Sequence, residues 1–319
     1  MNIPSSSASP PLEGMIRQQR RNNKKRIRLI LHAGTPKTGT TSLQSYMHRS
    51  RLELLRGGIL YPRSNHTDAA GRLQPKHQWI VNHLLRAETE ACARQIALSL
   101  RELQSDTHTV FFSTEGLFNH WWDFPEKSLG FFPKLSDHFD VKVWICFRDP
   151  CEYFMAYYKQ SMINPRFPSA PDCYGHQMSP ETFLKDPWFL KRLDYLGFIQ
   201  HVESLLGAES VEAFPYTREL IPDTLKRLGI RGMEQEFPRE NRSLGNFGMQ
   251  MLLKLNSHSI PPDKKWLAVE KIREIEMLLD PEPADEIFSE DLLKKIRTDT
   301  LDGIKVIESR YGRNFHSLE

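Results

Sequence analysis

Leu29-Ile30-Leu31 runs straight into a loop with glycines at positions 34 and 39, and a helical pattern begins directly behind Gly39. The order is therefore strand, tight loop, helix N-terminus. Glycine lets the backbone of such a loop approach a ligand closely, because it has no Cβ to collide with it. The first N–H groups of a helix have no carbonyl partner of their own and carry partial positive charge, so they suit an anion. This segment alone argues for a phosphate cradle at the end of a strand.

The cradle is almost a Walker A loop, G-x-x-x-x-G-K-[ST]. The two glycines are correctly spaced, but Thr40 stands where the lysine belongs, and the loop's lysine is Lys37, two residues before Gly39. A nucleoside triphosphate needs the late lysine on its β/γ-phosphates and a hydroxyl on Mg²⁺. Lys37 would reach an earlier point, near the bridge between a 5′-phosphate and its leaving group. Thr40, Thr41 and Ser42 line the first helical turn, where hydroxyls and N–H groups can hold one phosphate without a metal. The expected ligand is a nucleotide with a single 5′-phosphate.

A second element is Val141 to Phe147, a β-branched and aromatic run that reads as a buried strand. It ends at Arg148, and a helical segment spans Cys151 to Met162. A third strand, Val110 to Thr114, ends at Glu115. Sites form at the carboxyl ends of parallel strands.

Thr35-Pro36-Lys37-Thr38-Gly39-Thr40-Thr41 resembles the 5′-phosphosulfate loop of sulfotransferases that use 3′-phosphoadenosine 5′-phosphosulfate (PAPS). The longer segment from His32 to Gln44 is most similar to bacterial-type members of that superfamily. The resemblance implies an α/β fold of the P-loop type, a three-layer sandwich with a central parallel sheet flanked by helices. It implies that Thr35 through Ser42 hold the donor, with Lys37 stabilising charge on the bridging oxygen. Arg148 would grip the 3′-phosphate. A serine is usual eight residues later, and here that position is Ala156, whose role Tyr157, Tyr158 or Ser161 could take over. Tyr158 and Gln160 match the bacterial pattern in the same helix. Asn241-Arg242-Ser243-Leu244 matches a short segment before a late helix, which adds Arg242 as a nucleotide contact. The late Arg-Lys-Gly segment of the cytosolic type is missing.

Sulfuryl transfer requires charge stabilisation on the leaving phosphate and a base for the acceptor's proton. Glu115 is the leading base, since a Ser-x-Glu segment occupies this place in bacterial relatives. His77, near the start of a helix after Pro75, is the second candidate, and His32 is read as a residue that packs or bonds to backbone. The implied partners are PAPS, its 3′,5′-bisphosphate product and an unidentified hydroxyl or amine acceptor. No metal is implied.

A net charge of +3 over 319 residues gives no argument for nucleic acid. Four cysteines, Cys92, Cys146, Cys151 and Cys173, show no metal spacing and read as free thiols of a reducing compartment. No apolar run approaches the roughly 20 residues of a membrane span, so a cytoplasmic location is expected. Residues 1–25 read as a basic, disordered tail and 26–319 as one domain with a helical C-terminal part. Two aromatic stretches, Phe118 to Phe124 with Phe131 and Phe132, and 164–188, read as an acceptor-binding rim. Two other functions fit part of the pattern. One is a non-catalytic nucleotide- or glycan-binding protein of the same fold, which Ala156 favours. The other is a P-loop kinase, against which the missing Gly-Lys-Ser/Thr counts.

Overall fold

The computed structural model describes residues 26–35, 38–64, 67, 73–166, 171–217, 219–230, 244–279 and 287–315. Along the chain, β1 (Arg28–His32) precedes α1 (Thr40–Arg49), α2 (Arg51–Arg56) and the short β2 (Ile59–Leu60). Next come α3 (Gln78–Leu85), α4 (Thr89–Ser99), β3 (Thr109–Ser113), α5 (Gly116–Asn119) and β4 (Asp140–Phe147). They are followed by α6 (Pro150–Ile163), α7 (Tyr195–Leu206), β5 (Val211–Pro215) and α8 (Leu220–Arg227). The last helices are α9 (Asn246–Asn256), α10 (Pro262–Leu279) and α11 (Glu290–Tyr311).

The strands form one five-stranded sheet in the order β2-β3-β1-β4-β5. β1 pairs in parallel with β3 and with β4, and β2 with β3. β1 therefore sits in the middle, covered on both faces, which is why Leu29, Ile30 and Leu31 are apolar without alternation. The chain first moves outward to β2, then returns through β3 to the other side of β1 at β4. That reversal makes the carboxyl end of β1 the switch point of the sheet, where open α/β sheets bind ligands.

Described residues group into two compact units built from discontinuous segments. The first draws on the described residues within 26–35, 39–146 and 198–230, the second on residue 38 and those within 147–197 and 244–315. In the first unit, one sheet face presents Ile30, Phe111, Trp144 and Phe214 to Leu43, Tyr46 and Met47 of α1 and to Ile221 and Leu225 of α8. Side chains alternate along a strand, so Phe112 points to the opposite face, where it meets Trp79 of α3 edge-on at 5.9 Å. Burying each such aromatic contributes on the order of 1.5–3 kcal/mol. The expected α/β fold with a central parallel sheet flanked by helices is what this unit forms.

Two sequence expectations change. The helical pattern behind Gly39, which the sequence runs as one helix from about Thr41 to Leu55, is two helices, because the chain breaks at Ser50: its N–H closes α1 onto Tyr46 O at 2.9 Å while its carbonyl accepts from Leu54 at 2.9 Å to start α2. The aromatic stretch from Phe118 to Phe132 is core rather than rim. Phe118, Trp121, Phe124, Phe131 and Phe132 are all at most 6% exposed. Trp121 packs on Phe132 at 4.8 Å and on Phe198 at 5.4 Å, and its indole N–H donates to His201.

In the second unit, α6 is closed at both ends. Asp149 caps its start by accepting from the N–H groups of Cys151 and Glu152 at 2.9 and 3.1 Å, with Pro150 in the first turn. At its end, Lys265 of α10 donates to Met162 O at 2.8 Å and to Asn164 O at 2.7 Å. Burial, aided by the Arg166 charge, lowers the Lys265 ammonium to about 8. All four cysteines are buried free thiols. No helix among the described residues is long and apolar enough to cross a membrane.

Candidate functional site

The loop from β1 to α1 is shaped by its two glycines. Gly34 has φ +38° and Gly39 has φ +76°, backbone conformations that side chains rarely adopt. A Cβ on Gly34 would lie 3.0 Å from Thr40 Cγ2, 3.3 Å from Thr40 Oγ1 and 3.2 Å from His32 Cε1. Glycine is thus what lets strand end and helix start converge. Gly39 caps α1 without any side-chain bond, and the first turn holds no acidic residue. Leu43 is the first residue to donate back along the helix, to Gly39 O at 3.2 Å. Ahead of it stand Thr40, Thr41 and Ser42, of which Thr40 is buried, Ser42 half-buried and Thr41 exposed. Thr35 is tied to β4: its hydroxyl donates to Cys146 O at 2.6 Å. Thr38 is fully buried.

Behind the loop lies a polar cluster that the sequence did not announce. His32 and Ser113 are register partners on β1 and β3. Ser113 Oγ is 2.9 Å from His32 Nδ1 and accepts from Gln44 Nε2 of α1 at 3.1 Å. His32 stacks on Phe111 at 5.7 Å. Burial lowers its imidazole to about 4, so it is neutral at ordinary pH. His32 therefore bonds a side chain of the neighbouring strand, where packing or a bond to backbone was expected.

His77 is fully buried and committed to backbone. Its Nδ1 accepts from Ser113 N–H at 3.0 Å, and its Nε2 then carries the proton and donates to Pro62 O at 2.9 Å. Its own N–H returns a bond to Ser113 O at 2.8 Å. Desolvation is the largest influence on its imidazole, which also falls to about 4. The ring clamps the segment before α3 to the end of β3, and neither nitrogen is available for an acceptor's proton.

Glu115 is half-buried, two residues beyond β3 and at the N-cap position of α5. Thr114 beside it donates to Gln78 Oε1 of α3 at 2.8 Å, and its N–H bonds to His32 O at 3.0 Å. The β3 end is thus braced to both β1 and α3.

Arg148 and Tyr158 belong to the second unit. Arg148 Nε donates to Glu152 Oε2 at 2.7 Å, an i,i+4 pair on α6, and Tyr195 OH donates to the Arg148 carbonyl. Glu152 was not anticipated, although its spacing from Arg148 made the pair readable. Ala156 is half-buried. The hydroxyls named as replacements for a serine there are engaged: Tyr157 with Tyr174 OH at 2.8 Å, Tyr158 with Met178 O at 2.7 Å, and Ser161 with Tyr158 O at 2.8 Å. The N-terminus of α9 is likewise filled from within: the Glu276 carboxylate of α10 accepts from Gly245 and Gly248 N–H at 3.2 and 2.7 Å.

Pro36, Lys37 and Arg242 lie outside the described residues, as do Asn241, Ser243 and the basic tail. No group of three or more His, Cys, Asp or Glu among the described residues could hold a metal ion.

No protein-family model matches the chain, and no curated protein matches it. Among solved structures, the crystal structure of a sulfotransferase from Alicyclobacillus acidocaldarius is similar, at 13% sequence identity and a TM-score of 0.43, covering 89% of this chain and 96% of that chain. Similarity at that level leaves function to the residues and their geometry.

Proposed function

We propose that this chain is a sulfotransferase that moves the sulfuryl group of PAPS onto a hydroxyl or amine of an acceptor by in-line displacement. The observation that carries the proposal is the β1–α1 loop. It has two left-handed glycines, a first helical turn with hydroxyls and no acidic side chain, and a position at the switch point of a parallel sheet. Such a loop fits one phosphate group well. Its lysine at position 37, rather than after Gly39, suits a bridging oxygen better than a triphosphate.

When bound, PAPS supplies an electrophilic sulfur and a 5′-phosphate as leaving group. The N–H groups and hydroxyls from Thr38 to Ser42 hold that phosphate, and Lys37 stabilises the charge on its bridging oxygen. Thr35 also anchors the loop, its hydroxyl donating to Cys146 O. Glu115 takes the acceptor's proton, a role for which its partial exposure at a strand end is suitable. Arg148, Tyr158 and Arg242 are carried as nucleotide contacts on the sequence resemblance. Of these, Tyr158 contributes as an acceptor or through its ring, since its proton goes to Met178. His77 is a structural residue in this scheme.

A competing function, nucleotide binding without turnover, draws support from Ala156 and from the Glu152 carboxylate already on Arg148. Sulfur-labelled PAPS offered with a broad acceptor panel separates the two. Wild-type protein should transfer label to at least one acceptor, and Glu115→Gln should lose that transfer while still binding the nucleotide. Binding with no transfer to any acceptor would establish the second function. Full activity in Glu115→Gln would remove Glu115 as the base.

A further inference from the structure

The hydrogen bonds around Ser113 assign the tautomer of His32. An amide nitrogen can only donate, so Gln44 Nε2 gives its proton to Ser113 Oγ. Among the described residues the hydroxyl's own proton then has one acceptor in hydrogen-bond contact, His32 Nδ1 at 2.9 Å. In the opposite arrangement, with Nδ1–H donating, the Ser113 proton would be buried without an acceptor, which is costly. Nδ1 is therefore the acceptor, and Nε2 carries the proton.

Among the described residues no hydrogen bond reaches that Nε2–H, and the side chain as a whole is only 3% exposed. Buried polar groups are almost always paired. This one sits at the last residue of the central strand, two residues before Gly34. The ring's Cε1, which is bonded to Nε2, is 3.2 Å from where a Gly34 Cβ would be, beside the Thr40 hydroxyl. Stacking on Phe111 fixes the plane of the ring. The edge of the imidazole, the Thr40 side chain and the start of α1 thus meet around the one point that glycine keeps clear.

We infer that His32 is a further ligand-binding residue, whose Nε2–H donates to an oxygen of the phosphate or sulfate ester held by the β1–α1 loop. This deepens the sulfotransferase proposal and rests on it for the identity of the nucleotide. Gln44 and Ser113 are positioning residues: they hold the imidazole as a neutral donor. Desolvation keeps the ring uncharged far below neutral pH, so the contact is a hydrogen bond rather than an ion pair. It therefore discriminates by geometry and stays constant as pH varies around neutrality.

Nitrogen-15 NMR of histidine-labelled full-length protein tests this directly, with the His32 signals assigned by their loss in His32→Asn. The free protein should show the Nε2–H tautomer. Saturation with 3′-phosphoadenosine 5′-phosphate should move the Nε2 signal, and adenosine 3′-phosphate, which lacks the 5′-group, should not. His32→Asn retains an acceptor for the Ser113 hydroxyl but loses the far donor, so its affinity for the bisphosphate should fall about tenfold or more, as for a hydrogen bond to a charged group. An Nδ1–H tautomer, an Nε2 signal unmoved by saturating bisphosphate, or affinity in His32→Asn within about twofold of wild type would each overturn the inference. If the bisphosphate does not bind but sodium sulfate or inorganic phosphate moves Nε2, the sulfotransferase proposal falls while the His32 contact stands. If no anion moves it, the contact itself falls.

Discussion

Acidification should destabilise this protein through its two buried histidines, and His77→Gln should isolate one of them. His32 and His77 are lowered by burial from the ordinary 6.5 to about 4 in the folded chain. Between those values the unfolded chain binds more protons than the folded one, so stability rises with pH through the window and is lost on acidification. For a single site with these values, moving from pH 7.5 to pH 5 costs about 2 kcal/mol, and for both about 4 kcal/mol. That is a large part of the roughly 5–15 kcal/mol by which domains are stable. Carboxylates titrate in the same range, so the difference between two proteins is the informative quantity. Glutamine at position 77 can still accept from Ser113 N–H and donate to Pro62 O, the two bonds that His77 makes. Urea unfolding followed by circular dichroism at several pH values gives both curves. The gap between wild type and His77→Gln should change by about 2 kcal/mol between pH 7.5 and pH 5, in favour of the variant at the lower pH. A gap that stays constant would mean that His77 titrates normally in the folded chain, and the structural role assigned to it would be refuted.

Three further outcomes are expected. Gly34→Ala forces a Cβ against Thr40 and His32 at a positive φ, so calorimetry should show bisphosphate binding weakened by about tenfold or more, with circular dichroism unchanged in shape. Glu152→Gln removes the carboxylate that occupies Arg148 Nε, and affinity for the 3′-phosphate should rise by up to about fivefold, the scale of a partly exposed ion pair. Glu276→Ala leaves the Gly245 and Gly248 N–H groups buried without acceptors and should cost on the order of 1–3 kcal/mol in urea unfolding.

Much of the first unit was legible because its signals are local. An unbroken apolar run before paired glycines can only be a buried strand entering a tight turn, and β3 and β4 announced themselves by their β-branched and aromatic content. The polar cluster was not legible in the same way. Ser113 is distant in sequence from His32, and only the β1–β3 register brings them together. A histidine at a strand end looks the same whether it packs or donates. The aromatic stretch from Phe118 to Phe132 misled for a related reason: composition shows that rings are present but not which way they face. At Ala156, where the sequence resemblance expects a serine, the neighbouring hydroxyls of Tyr157, Tyr158 and Ser161 are committed elsewhere.

Isothermal titration with 3′-phosphoadenosine 5′-phosphate alone and with ATP plus Mg²⁺ tests the central assignment most directly. Saturable binding of the bisphosphate without metal, and none of ATP with Mg²⁺, is the predicted result. Binding of ATP with Mg²⁺ but not of the bisphosphate would contradict it, and would return the loop to triphosphate chemistry despite the position of Lys37.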